Sequence, residues 1–361
     1  MTRTVPTLDR SHVDFRQSIR GQTARLPNFY SLFPEWKPRL HPEYNRARDE
    51  VINPWIERWV PDADTSRKFQ KADFGRFAAI MCADASFEKL CTVAKAFAWY
   101  FIWDDLFDCG CLTHDKTAIP EYRDKSMQYF RTVLSSREDA TDLSGCSDEL
   151  QKALLCWDEV AAHIRAVCSE ETCEVLLENK LFYVSSVDTV DTICHGDCIP
   201  SLAQYWSRRE RTAGVYPVIA TIPFIYGIDV SKQELSDELI GVLFRHTSYL
   251  VHMINDMFSL RKEIADNQIE NLVPILMLNQ NIDCNSAMER SSLLVQEAAC
   301  DFHEVEKRLR GRSQHAPNPV TDMFLQGCKD VVMGLTHWSY TGQRYFKQSE
   351  IGDDNVIEFR L

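Results

Sequence analysis

Glycine and proline are scarce in this 361-residue chain, at 13 and 14 residues against usual shares of roughly 7% and 5%. So few turn-formers exclude a fold of many short strands and favour long helices. Positive charge is also short: 40 Lys plus Arg against 53 Asp plus Glu leave a formal net charge of −13. That balance argues against electrostatic binding to nucleic acid or to an anionic membrane, which needs a basic face. It leaves open a small anion held through a metal. Long apolar runs are missing as well. The longest uncharged stretch, 212–228, has 17 residues and contains Pro217 and Pro223. It falls short of a membrane span and reads as a buried helix beside a cavity. The opening MTRTVPTLDRSHVDF holds no continuous apolar core, so no secretory signal is expected and a cytoplasmic location is. Repeats, low-complexity tracts and strand-like alternation are lacking too.

Cysteine, by contrast, is plentiful at 13 residues. Most are scattered singly, as small buried hydrophobes in a reducing compartment would be. Two tighter groups, Cys109-Gly-Cys111 and Cys194-His-Gly-Asp-Cys198, have no partner pair at zinc-ligand spacing and read as structural or incidental. Residues 1–35, with Pro6, Pro27 and Pro34 and little periodicity, read as a tail or a cover. No linker divides residues 36–361, which are expected to form one all-α domain around a central apolar cavity.

Helical periodicity dominates that domain. Leu90, Val93, Ala94, Phe97 and Phe101 mark one face of a helix from Phe87 to Trp103. Ile240, Leu243, Phe244, Thr247 and Val251 mark the buried side of a helix over 237–265. Further helices are expected over 286–310, capped by Asn285 or Ser286, and over 320–345.

Two of these helices carry oxygen donors. The first runs into Asp104-Asp105-Leu-Phe-Asp108, whose first and last acids lie four apart on one face. Carboxylates so placed repel unless a cation lies between them, and a hard divalent ion such as Mg²⁺ suits them. The plainer reading is a solvated acidic face, which the flanking Trp99, Tyr100, Phe101, Trp103 and Phe107 disfavour. In the second helix Asn255, Ser259 and Glu263 fall at i, i+4 and i+8. This stripe supplies an amide, a hydroxyl and a carboxylate to one cation; the alternative is polar decoration of a surface helix.

The sequence resembles the class I terpene synthases, most of all the fungal sesquiterpene cyclases. Asp104-Asp105-x-x-Asp108 matches their aspartate-rich motif, and Asn255-Asp-x-x-Ser259-x-x-Lys262-Glu263 matches their second metal motif. Arg209, 46 residues before Asn255, stands where they carry a diphosphate-sensing arginine, although Arg208 and Arg211 flank it. Arg344-Tyr345 matches their C-terminal pair.

The resemblance implies three Mg²⁺ ions, with Mn²⁺ a possible substitute, held by Asp104, Asp108, Asn255, Ser259 and Glu263. It implies diphosphate contacts from Arg209, Lys262, Arg344 and Tyr345, and a closing salt bridge between Asp105 and Arg344. A carbocation pocket lined by Phe97, Phe101, Phe107, Phe182, Tyr183, Phe258 and Trp338 is expected, with the helix break near Pro217. The implied activity is cyclisation of farnesyl diphosphate with release of pyrophosphate, by a monomer or homodimer. The alternatives are a chain-elongating prenyltransferase and a non-catalytic isoprenoid-binding helical protein.

Overall fold

The computed structural model describes residues 12–108, 118–135, 141–186, 200–266, 268–312 and 318–361, the side chains of 12–14, 16, 105, 107 and 108 excepted. Cys109, Cys111, Cys194 and Cys198, and the side chains of Asp105, Phe107 and Asp108, therefore lie outside the described residues. No described helix is long and apolar enough to cross a membrane.

Helices pack around one core in which nearly every large apolar side chain takes part. The helices that build the site are Phe74–Met81 (α1), Phe87–Asp108 (α2), Ile119–Val133 (α3), Asp158–Val167 (α4), Glu170–Val184 (α5), Leu202–Thr212 (α6), Val215–Ile219 (α7), Ile222–Tyr226 (α8), Glu238–Ala265 (α9), Leu272–Gln280 (α10), Cys284–Arg312 (α11) and Pro319–Thr341 (α12). The long α9 packs against both α11 and α12, and α12 in turn against α1.

Local signals fix their ends. Asp237 caps α9 by accepting from Leu239 N at 2.8 Å, and Ser201 and Gln204 form a capping box on α6. Two expected boundaries move. The α11 helix begins at Cys284 because Asp283, not Asn285 or Ser286, accepts the orphan amide of Ser286 at 2.8 Å. The α12 helix stops at Thr341, not 345, because Gly342 is extended while its amide closes onto Trp338 O. Arg344 and Tyr345 thus sit beyond the helix and are freed from its period.

The uncharged stretch 212–228 breaks twice, but not at Pro217. Gly214 takes a left-handed φ of 68° between α6 and α7, which costs a glycine little. Pro217 lies inside the first turn of α7, where its missing N–H would have had no intrahelical partner. The second break falls at Ala220 and Thr221, just before α8.

The described residues also hold one small sheet. Strand β1 (Thr23–Leu26) pairs antiparallel with β2 (Ile357–Arg360), each burying alternate residues. Residues 15–36 put Phe15, Ile19, Leu26, Phe29, Phe33 and Trp36 into the core. The Tyr340 hydroxyl at the end of α12 accepts from Phe29 N and lies within hydrogen-bond distance of both Pro27 O and Asn355 O, which share its one proton.

One core residue has no ionic partner among the described residues. Lys180 on α5 is fully buried, and its Nζ lies 3.5 Å from the Trp99 ring centroid, 3.9 Å from Tyr100, 4.4 Å from Trp157 and 5.0 Å from Phe130. Nζ has no hydrogen-bond partner among the described residues, and burial pushes the amine well below the ordinary lysine value. The unfolded chain then binds a proton that the folded chain does not, over the window from the depressed folded value up to 10.5. Stability rises with pH across that window. Lys180→Met is expected to stabilise the fold at pH 7 by about 1–4 kcal/mol and to flatten that rise. A lower urea midpoint for the variant would show instead that the four aromatic faces hold an ammonium.

Candidate active site

A cavity of about 250 Å³ opens between α1, α2, α5, α6, α7, α9 and α12. Its lining is of two kinds. One is aromatic and aliphatic: Phe77, Phe97, Phe101, Val218, Leu335 and Trp338. The other carries Asp104, Arg209, Asn255, Ser259, Lys262, Glu263, Arg344 and Tyr345.

The wall aromatics are held from behind. Phe101 stacks on Phe74 with ring centroids 3.7 Å apart, and the Trp338 indole donates to Ala72 O at 2.6 Å. A Cβ on Gly334 would stand 2.5 Å from the Phe77 ring, so this glycine lets α1 and α12 approach and seats Phe77 on the wall. The imidazole of His252, also on the wall, is kept well below its ordinary pKa by burial and by the charge of Arg209. It adds no positive charge there.

Among the polar lining residues, Asp104 sits in the last turn of α2 and accepts from the Tyr183 hydroxyl at 3.1 Å. Asn255 donates to the Tyr345 hydroxyl at 2.9 Å and accepts from Arg209 at 3.3 Å. Asn271, the N-cap of α10, donates to Glu263 at 2.8 Å and to Asp256 O at 2.6 Å. Burial, with the negative charge of Asp256, pushes the Glu263 carboxyl up to about 7.

The three arginines of α6 separate. Arg208 is paired to Glu270, and Arg211 lies over the Phe182 ring and donates to Ser185. Arg209 alone of the three lines the cavity. Burial opposes its charge, but Asp256 at 2.7 Å more than restores it and raises its pKa. The Nε atoms of Arg209 and Arg344 are buried without a partner among the described residues. The Arg344 guanidinium lies 4.8 Å over the Phe101 ring, and Lys262 is held by Asp266 at 2.8 Å.

Among the described residues, no three His, Cys, Asp or Glu side chains converge as a metal-holding group. The oxygen donors on the wall are mixed: the Asn255 amide, the Ser259 hydroxyl and the carboxylates of Asp104, Glu263 and Glu270. All are hard ligands of the kind Mg²⁺ takes.

Two expected lining residues are not on the wall. Phe182 is 38% exposed, because α5 turns its neighbour Tyr183 inward and leaves Phe182 against Tyr216 and Arg211. Phe258 is fully buried, but among Phe29, Tyr340 and Phe346, since the N-terminal segment covers that side of α9. Conversely, Tyr100 and Phe77 line the wall without standing among the expected lining residues, and Asp256, behind the wall, is a further residue outside the expected set. Tyr100 was within reach of sequence reasoning, being one helical turn before Asp104. Phe77 carried no such signal.

Residues 95–301 match the family described as terpene synthase family 2, C-terminal metal binding. The chain is 25% identical over 355 residues to the terpene cyclase braA of Annulohypoxylon truncatum, covering 96% of this chain and 92% of that one. It is 21% identical to the sesquiterpene cyclase hepA of Aspergillus oryzae, over 89% of this chain and 88% of that one. The linalool/nerolidol synthase of Streptomyces clavuligerus shares the fold, with a TM-score of 0.72 at 18% identity over 84% of this chain and 98% of that one. The match across 95–301, which spans both the Asp104 and the Asn255 stations, shows that this chain belongs to the terpene synthase family.

Proposed function

We propose that the chain is a Mg²⁺-dependent sesquiterpene cyclase that ionises farnesyl diphosphate and cyclises the resulting carbocation, releasing pyrophosphate. The observation that carries this is that one cavity is lined both by aromatic faces and by hard oxygen donors with buried guanidinium N–H groups. Asp104 and Asp108 would hold metal on one side, and Asn255, Ser259 and Glu263 on the other, three ions in all. Bound Mg²⁺ supplies charge neutralisation for the departing diphosphate.

The chain's own donors complete that work. Arg209, Lys262, Arg344 and Tyr345 bind the diphosphate oxygens. The buried Nε atoms of Arg209 and Arg344, which have no partner among the described residues, favour an anion there, because a buried donor left unsatisfied is costly. Lys262 exchanges Asp266 for substrate, and Arg344 leaves the Phe101 face to pair with Asp105 as the site closes and water is excluded. The described segment from Phe15 to Trp36 braces the C-terminal segment that follows Tyr345, through the pairing of β1 with β2. The carbon skeleton meets Phe77, Phe97, Tyr100, Phe101 and Trp338, whose faces each stabilise a desolvated cation by roughly 0.5–2 kcal/mol.

The test is incubation of purified protein with Mg²⁺ and geranyl, farnesyl or geranylgeranyl diphosphate, followed by gas chromatography. Cyclic C15 products from farnesyl diphosphate are expected. Pyrophosphate release without hydrocarbon or terpene alcohol would refute cyclisation. Chain-lengthened diphosphates on adding isopentenyl diphosphate would identify a prenyltransferase.

A further inference from the structure

Past Thr341 the chain leaves α12, and residues 342–347 belong to no helix or strand. Arg344 and Tyr345 nonetheless line the cavity, so side chains must fix them there. One anchor is Asn255, which donates to the Tyr345 hydroxyl at 2.9 Å. The second is Arg261, on the same helix. Its guanidinium donates to the Tyr345 carbonyl at 2.9 Å and to the two oxygens of Glu350 at 2.7 and 3.3 Å. It also lies 4.5 Å over the ring of Phe346, which is buried against Phe359 of β2. Arg261 is not on the cavity wall, being two positions from Glu263 and so roughly 160° round α9 from it. The metal motif matched from Asn255 to Glu263 leaves its position open.

We propose that Arg261 is a positioning residue: by gripping the Tyr345 carbonyl and Glu350 it fixes the backbone of Arg344 and Tyr345 at the cavity wall, and so sets how tightly diphosphate is held. The proposal rests on the reading of Arg344 and Tyr345 as diphosphate contacts. A guanidinium suits the task because its planar fork meets a carboxylate with two N–H groups and keeps another for a carbonyl. Glu350 in turn accepts from Lys347 N at 2.7 Å, which closes the chain just beyond Tyr345. Hydrogen bonds from Arg261 hold the Glu350 carboxyl below its ordinary pKa, so the pair stays charged near neutral pH. The grip falls on main chain, and the Arg344 side chain keeps its freedom to leave the Phe101 face.

The experiment is calorimetric titration of the full chain with inorganic pyrophosphate in the presence of Mg²⁺, with thermal melts confirming that each variant is folded. Arg261→Met is expected to weaken binding about 10-fold, within the range of coupling inside one hydrogen-bonded network. In an Arg344→Met, Tyr345→Phe background the same change should cost less than about twofold, because the groups it positions are gone. Equal losses in the two backgrounds would overturn the proposal, since a merely structural residue adds its cost to any variant. Glu350→Ala supplies a test of sign. It removes a negative charge, which by electrostatics alone would tighten pyrophosphate binding, whereas loosening the grip should weaken it about threefold. Tighter binding in Glu350→Ala overturns the proposal. Unchanged affinity in Arg261→Met, alongside weakened affinity in Arg344→Met, overturns it too and spares the reading of Arg344 as a diphosphate contact. Unchanged affinity in Arg344→Met overturns that reading and the proposal with it.

Discussion

Asp256→Ala is expected to cost about 3–5 kcal/mol of folding free energy, the range for breaking a buried ion pair from one side. The Asp256 carboxylate is fully buried and accepts from Arg209 at 2.7 Å, the Tyr205 hydroxyl at 2.7 Å and Leu272 N at 2.7 Å. It thereby joins α6, α9 and the start of α10. Alanine would leave the Arg209 guanidinium, whose side chain is 17% exposed, without its counter-charge, and would strand the Tyr205 hydroxyl. Urea denaturation measures the loss. A cost below about 1 kcal/mol would mean that water or Asn255 replaces the carboxylate, and that Asp256 does not organise the site.

Asn255→Ala should show the opposite profile. Its side chain holds Tyr345 and touches Arg209, but it lines the cavity rather than the core. Turnover of an allylic diphosphate is expected to fall about 10²–10³-fold, the scale for removing one group that stabilises leaving-group charge. The urea midpoint should shift by no more than about 1 kcal/mol, one ordinary hydrogen bond. Normal activity with unaltered Mg²⁺ dependence would show that the stripe from Asn255 to Glu263 is not a metal station. Two adjacent residues are thus assigned to separate tasks, because one hundred degrees of helix turns one toward the cavity and the other toward α6 and α10.

The same geometry explains what could be read in advance. Periodicity located α2 and α9, and it placed Asn255, Ser259 and Glu263 on one stripe, because side chains three or four apart share a helix face whatever surrounds them. It failed where the helix ended or the partner decided. The continuation of α12 to Tyr345 was lost at Gly342, and the break expected at Pro217 fell at Gly214. Phe182 and Tyr183 are neighbours of similar size, yet only Tyr183 reaches the cavity. Nothing in their own segment distinguishes them. What turns Tyr183 inward is the fence of Tyr100, Trp103 and Gly214.

By itself, then, the amino-acid sequence determined the helical class, through scarce turn residues and apolar spacing, and the identity of the oxygen-donor stripe, through its period. It singled out Arg209, Arg344 and Tyr345 only by resemblance. The tertiary structure decided which arginine of α6 faces the cavity, which aromatics form its wall and which carboxylate, Asp256, ties its helices together. Each of those choices depends on the surface of another element distant in sequence, 47 positions away for Arg209 and Asp256. A pattern along one helix carries no information about what packs against it, and at this site that packing turns an acidic chain into a wall fit for a cation beside a pocket fit for an anion.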